Sequence, residues 1–255
     1  MSLSLFNLSR TYKMGEVEVP ALQNVSITID EGQFIVILGP SGCGKTTLLN
    51  LLGGIDRPSS GKIVYNGNDG NFELNSLSKK RLSKYRRSNI GFVFQFYNLI
   101  SSLTSLENVE LSARLTTKTF KAHELSINLL HEVGIENHLQ RKFPSQLSGG
   151  EQQRVSIARA LAKEPKIFLA DEPTGNLDSV ATGKILKLLK RMNKEHNVTM
   201  VLVTHNVGIS FLADKVIYLR DGKIYGVSEY DASKEEIFWE NLHSDPSLNA
   251  LRDEV

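Results

Sequence analysis

Residues 34–47 leave the chain little choice of fold. Five apolar residues, Phe34-Ile35-Val36-Ile37-Leu38, run directly into Gly39-Pro40-Ser41-Gly42-Cys43-Gly44-Lys45-Thr46, and Thr47-Leu48-Leu49 continues with helical composition. A short apolar run bounded by turn residues reads as a strand buried on both faces. Glycines carry the turn. A helix opening behind it aims backbone N–H groups and the positive end of its dipole into one concavity, which suits an anion such as a triphosphate. Lys45 is placed to reach β- and γ-phosphates, and Thr46 to set its hydroxyl on Mg²⁺. The segment Gly39–Thr47 is therefore expected to bind a nucleoside triphosphate. Cys43, among amide donors and beside Lys45, is expected to carry a reactive thiolate.

The rest of the chain alternates in the same manner. Leu3-Leu5-Asn7 and Val25-Ile27-Ile29 have a period of two and predict an N-terminal antiparallel β-meander, with Asp30-Glu31-Gly32-Gln33 as the turn before the loop strand. Strand-like runs follow at Lys62–Gly67, Ile90–Phe94, Lys166–Ala170 and Thr199–Thr204, most of them separated by helical periodicity. That alternation predicts an α/β fold with a mainly parallel sheet. Between residues 96 and 164 the pattern is helical throughout, at Leu106–Leu115, His123–Val133 and Gly150–Ala162, which predicts a helical subdomain inserted in the α/β core. Lys215–Leu219 and Lys223–Val227 should pair about the turn Arg220-Asp221-Gly222, and Ser233 with Glu236 fits a capping box for a short helix in a C-terminal extension, 229–255.

Four further segments carry chemistry. Lys166-Ile167-Phe168-Leu169-Ala170 delivers Asp171 and Glu172 at the C-terminal end of a strand, where ligands of open α/β sheets bind. Asp171 is expected to hold Mg²⁺ through water, and Glu172 to act as general base on the attacking water. Ser148-Gly149-Gly150 precede a helix and form a second anion site. His205, after the apolar run Met200–Thr204, is placed to meet a γ-phosphate, and Gln95, ending Gly91-Phe92-Val93-Phe94, to reach both metal and water.

Leu147-Ser148-Gly149-Gly150-Glu151-Gln152-Gln153-Arg154 closely resembles the signature motif of ABC-type ATPases, and the resemblance extends from the N-terminal strands to about Val227. It implies a P-loop NTPase core in one ATPase domain, 1–228, with ATP and Mg²⁺ as cofactors. It further implies that Tyr12 stacks on adenine, that Asp178 is the aspartate beyond the acidic pair, and that Gln95 and His205 are the loop glutamine and switch histidine. In the family the two anion sites meet only across a dimer, so a homodimer forming on ATP is expected, driving a permease encoded separately. Leu51–Gly61, Ile90–Leu99 and Asp171–Asp178 look like the lipoprotein-releasing and macrolide-exporting branch. Glu151, Asn176 and Cys43 stand where Gln, Ser and Ser are frequent, substitutions expected to keep the backbone geometry. A soluble ABC ATPase without a transport role is the alternative. Such proteins carry two ATPase domains or a long coiled-coil insertion, and neither pattern is seen in this sequence.

Composition narrows the remaining classes. Among 255 residues, 30 basic against 28 acidic side chains give a net charge of +2, so no nucleic-acid partner is expected. The basic cluster Lys79, Lys80, Arg81, Lys84, Arg86 and Arg87 reads as the solvated face of one helix, with Leu82 and Tyr85 turned inward. No apolar run approaches the roughly 20 residues of a membrane span, and the N-terminus lacks a basic start followed by an apolar stretch. The single cysteine excludes an internal disulfide and a Cys-based zinc site. The expected location is cytoplasmic, peripheral on the inner face of the cell membrane.

Overall fold

The loop strand Phe34–Leu38 is buried along its whole length because both its faces are covered. A computed structural model describes residues 1–67 and 70–229. Its elements, in chain order, are β1 (Ser2–Met14), β2 (Val17–Asp30), β3 (Phe34–Leu38), α1 (Lys45–Leu52), β4 (Ser60–Gly67), β5 (Gly70–Glu73), α2 (Lys79–Asn89) and β6 (Ile90–Val93). Helices alone follow: α3 (Ser105–Ala113), α4 (Thr119–Glu132), the single turn α5 (Asn137–Gln140) and α6 (Gly149–Leu161). The chain then returns to β7 (Ile167–Asp171), α7 (Ser179–His196), β8 (Thr199–Thr204), β9 (Lys215–Arg220) and β10 (Lys223–Glu229). The residues of the expected C-terminal helix, Ser233 and Glu236, lie outside the described residues.

The strands make two sheets. One is antiparallel, in the order β2-β1-β4-β5; the other runs β10-β9-β3-β8-β7-β6, parallel except for the edge strand β10. Side-chain alternation along the parallel strands divides the interior in two. Phe34, Val36, Leu38, Phe168, Ala170, Met200 and Leu202 face a core completed by α3, α4, α6 and α7. Ile35, Ile37, Ile167, Leu169, Val201 and Val203 face a second core shared with the antiparallel sheet. Helix α1 lies in that second core through Leu48, Leu49, Leu51 and Leu52, so the helix behind the phosphate loop is buried between the two sheets. The fold is the α/β P-loop architecture that the sequence predicts.

Caps explain where the helices begin. Ser78, Thr104, Ser148 and Asp178 each accept a backbone N–H from the first turn of α2, α3, α6 and α7. Lys79, Lys80, Arg81, Lys84 and Arg87 of α2 are exposed while Leu82 and Tyr85 are buried; Arg86 departs from the expected solvated face, half-buried with Nη1 donating to the Gly54 carbonyl at 2.7 Å. Strand β5 escaped the sequence reading. It is four residues with no apolar alternation, placed by its pairing with β4 rather than by its own pattern.

One buried polar residue holds the passage from β6 into the helical segment. Asn108, 1% exposed, accepts from the Ile100 N–H at 2.8 Å and donates toward the carbonyls of Ile100, Leu103 and Thr104 at 3.0–3.1 Å. Asn108→Ala would orphan these groups. Urea unfolding is expected to show a loss of about 2–4 kcal/mol, far above an ordinary surface substitution.

Cys43 departs from expectation. It is 5% exposed and packs in the second core. Burial pushes its thiol pKa up, outweighing the attraction of Lys45 and the nearby backbone donors. The thiolate that the loop's amide donors suggested is therefore disfavoured, because the side chain turns under the loop rather than into its concavity. A thiol reagent such as DTNB is expected to label the native protein at least about tenfold more slowly than the urea-unfolded chain. Equal rates would contradict the burial.

Candidate functional site

Parallel pairing brings the chemistry together. In register, Leu38 lies opposite Thr204, and Asp171 opposite Val203. The loop after β3, the acidic pair at the end of β7 and His205 after β8 thus leave the same edge of one sheet. This is the C-terminal edge, where the crevice of an open α/β sheet forms.

The phosphate loop is shaped by close backbone approach. A side chain at Gly39 would collide with the Leu219 carbonyl oxygen, and Gly44, at φ 105°, lies against the Ala21 carbonyl oxygen. Both positions require glycine. The Cys43 carbonyl accepts from Gly222 N at 3.1 Å, which ties the loop to the β9–β10 turn. Lys45 is 7% exposed, and its Nζ donates to the carbonyls of Gly39 at 2.8 Å and Pro40 at 2.9 Å. The ammonium is thus folded over the loop it is expected to serve. Pro40, Ser41 and Gly42 form the loop's outer rim, with Ser41 and Gly42 exposed, and Thr47 is half-buried in the first turn of α1.

Thr46 and Asp171 meet across the crevice. The Thr46 hydroxyl donates to Asp171 Oδ1 at 3.3 Å. Asp171 is 8% exposed, and burial raises its pKa, opposed by the Thr46 hydrogen bond; the Glu172 charge raises it further and Lys45 lowers it. A buried carboxylate of raised pKa beside a hydroxyl oxygen is an all-oxygen donor pair. That set fits a hard dication such as Mg²⁺, whose charge would offset the desolvation of the carboxylate.

Glu172 is the most constrained of the site residues. Its backbone is left-handed, φ 45°, and its N–H donates to Val203 O at 3.0 Å. The carboxylate is held from the end of β8 and the residue after it: Thr204 Oγ1 donates to Oε2 at 3.0 Å, and His205 Nδ1 lies 2.9 Å from Oε1. Thr204 was not singled out from sequence, although a polar residue ending a wholly buried strand was a usable signal. Beside the pair opens a cavity of about 440 Å³, lined among others by Glu172, Leu177, Leu186, His205 and Ile209. Gln95 follows β6; its carbonyl accepts from Asn176 Nδ2 at 3.2 Å, and its side-chain amide faces Gly175.

The remaining residues lie apart from this cluster or serve helix ends. Ser148 caps α6 in a reciprocal box with Glu151: its Oγ accepts from Glu151 N at 3.3 Å and its N–H donates to Glu151 Oε2 at 2.7 Å. Glutamate here performs the backbone task that glutamine performs in the same box. Gly149 and Gly150 form the first turn of that helix. Asp178 caps α7 by accepting from Ala181 N at 2.8 Å. Tyr12, on β1, donates its hydroxyl to Asp56 at 2.9 Å, and the Arg10 guanidinium lies 4.5 Å from its ring centroid. One face of the aromatic is therefore already covered.

Similar proteins place this arrangement. The ABC transporter family matches residues 22–175. The chain is 45% identical over 248 residues to ABC transporter H family member 2 of Dictyostelium discoideum, covering 96% of this chain and 48% of that protein; it thus spans about half the length of that relative. It is 42% identical over 220 residues to the lipoprotein-releasing system ATP-binding protein LolD of Wigglesworthia glossinidia brevipalpis, covering 86% of this chain and 94% of that one. Among solved structures, an ATP-binding cassette captured as a dimer in a post-hydrolysis state with ADP and Pi has a TM-score of 0.82 and 43% identity, over 89% of this chain and 98% of that one. With the phosphate loop, the acidic pair and the capped signature helix all in place on this fold, the chain belongs to the ABC transporter family as an ATP-binding domain.

Proposed function

We propose that this protein is the ATP-hydrolysing subunit that powers a separate membrane permease of the lipoprotein-releasing and macrolide-exporting branch. The observation that carries the reading is the convergence of Lys45, Thr46, Asp171, Glu172 and His205 at the C-terminal edge of β3, β7 and β8. In this reading residues 1–228 are one ATPase domain, with 96–164 as its helical subdomain and 229–255 as an extension. The chain sits in the cytoplasm against the inner face of the membrane. Four large apolar side chains support a docking partner on the helical segment: Phe96, Leu111, Leu115 and Phe120 are 50–83% exposed.

The chain's own groups supply the steps. The amides of the loop 39–46 and the Lys45 ammonium hold the phosphates, the ammonium exchanging the Gly39 and Pro40 carbonyls for phosphate oxygens. Thr46, and Asp171 through water, would hold Mg²⁺, with Gln95 able to join from the end of β6; an ion bound there would neutralise charge on the transferring phosphoryl group. Glu172, fixed by Thr204, accepts a proton from the attacking water, and His205 keeps its carboxylate oriented. Tyr12 offers its uncovered face to the adenine. Ser148, Gly149 and Gly150 present an α6 N-terminus to the nucleotide of a second copy. Two copies arranged head to tail, with Asp178 at the α7 cap beside the interface, build two equivalent sites.

Glu172→Gln tests the base. The amide keeps the shape but cannot take the proton, so ATP binding is expected to persist while turnover falls on the order of 10²–10⁴-fold; steady-state hydrolysis close to the parent's rejects the assignment. The same variant tests the composite site. In MgATP it should sediment as a dimer, whereas adding Ser148→Arg places bulk and positive charge at the α6 N-terminus and should leave it monomeric. Equal dimerisation of the single and double variants overturns the head-to-tail arrangement.

A further inference from the structure

The turn that holds Gln95 is gripped by the signature helix at two separate levels. Tyr97 N donates to Phe94 O at 3.1 Å, closing a turn with Gln95 and Phe96 in its middle. Tyr97 and Asn98 then follow as successive left-handed residues, φ 59° and 49°. Neither is glycine, and consecutive residues in this conformation persist only where their surroundings hold them. Here the holding groups come from α6. Arg159 donates from Nη2 to the Tyr97 carbonyl at 2.8 Å and from Nη1 to the Asn98 carbonyl at 2.5 Å. Ser156, fully buried, donates to the Tyr97 carbonyl at 3.2 Å. At the start of the same helix, the Tyr97 hydroxyl lies 3.0 Å from where a Cβ on Gly149 would stand, so the missing side chain there leaves room for the phenol.

Tyr97 therefore meets α6 residues that lie nearly three turns apart, its hydroxyl at Gly149 and its carbonyl reached by the side chains of Ser156 and Arg159. Just past the helix, Lys163 Nζ donates to the Ile90 carbonyl at 2.6 Å and the Arg86 carbonyl at 3.2 Å, anchoring the far end of α6 to the start of β6. The planar guanidinium suits this task better than any other side chain, because two parallel N–H groups can meet two consecutive carbonyls at once.

We propose that Arg159 is a positioning residue that makes the Gln95 turn and the helix beginning at Ser148 one mechanical unit, so that nucleotide at Lys45 of one subunit sets the orientation of the α6 N-terminus offered to the nucleotide of a second copy. This rests on the roles given above to Gln95 and Ser148. Arg159 touches neither nucleotide; it transmits the state of one site to the other, and its loss weakens the coupling while leaving the phosphate loop intact.

The test measures binding and turnover separately in the full chain. Arg159→Ala should bind a fluorescent ATP analogue within about twofold of the parent, while kcat falls by about tenfold or more and the Hill coefficient for ATP hydrolysis drops toward about 1. Arg159→Lys, which restores a cation and a donor but not the two-pronged fork, should recover kcat only in part, to at least about threefold above Arg159→Ala yet below the parent. An active parent with Arg159→Ala unchanged in both kcat and Hill coefficient overturns the clamp alone. So does a parallel loss of analogue binding and kcat that lysine does not rescue, since that marks a merely structural residue. If Arg159→Ala does not fold, Ser156→Ala decides: a two- to threefold fall in kcat at about constant analogue affinity supports the clamp, and an unchanged kcat overturns it. A parent chain that hydrolyses no ATP overturns the proposed function and the clamp with it.

Discussion

The structure depends on β3 being buried on both faces. A strand with apolar side chains on each side must separate two cores, and here it does: Phe34, Val36 and Leu38 belong to one, Ile35 and Ile37 to the other. Its parallel neighbours β8 and β9 pair with it on both edges, and Asp214, just before β9, accepts the Phe34 N–H through Oδ2 at 2.7 Å. Parallel neighbours also share a direction, so the loops after β3, β7 and β8 necessarily emerge on one side. The site is thus a consequence of sheet topology before any catalytic side chain is considered. Helix α1 inserts between the sheets because its apolar side is the wall of the second core, and that insertion fixes where its N-terminus points.

The electrostatics of the crevice follow from the same burial. Lys45 and Asp171 are both among the most enclosed charged residues of those described. The ammonium is satisfied by two loop carbonyls and the carboxylate by one hydroxyl. Neither forms an ion pair with the other, and each keeps a group that an incoming ligand can use. Burying a charge is costly unless it is paired or hydrogen-bonded. In the function proposed above, phosphate would answer the ammonium and a dication the carboxylate, so each ligand would supply the opposite charge that one of these buried groups lacks.

Much of this was legible in the sequence. The glycine loop, the strand runs and the acidic pair each carry a local signature, because an unbroken apolar run or a glycine at positive φ is decided by nearest neighbours. The long β1–β2 hairpin and the helices of 105–161 were read from periodicity for the same reason. What stayed hidden was decided by contacts distant in sequence. Strand β5 exists through its pairing with β4. Cys43 sits among donors along the chain, but packing under the loop reverses the expected effect on its thiol. Thr204 reaches Glu172 across 32 positions, and Arg159 reaches Tyr97 across 62. No window of sequence contains either pair.

Glu172 shows how such distant contacts stabilise local strain. A left-handed glutamate costs on the order of 1 kcal/mol or more relative to an ordinary backbone conformation, and alone it would relax. Three bonds from β8 and the residue after it oppose relaxation: Val203 takes its N–H, Thr204 donates to one carboxylate oxygen and His205 meets the other. Strand β8 is itself locked between β3 and β7, so the strained residue is braced by the most buried part of the sheet. The reversal at φ 45° lets the carboxylate turn back toward Thr204 and His205 rather than continue along β7. Asp171 and Glu172 are adjacent in sequence, yet one is enclosed beside Thr46 while the other rests against β8. That single backbone reversal gives two adjacent carboxylates different surroundings, one enclosed beside Thr46 and one held by Thr204 and His205, which suits them to the two different roles proposed above, holding metal and accepting a proton.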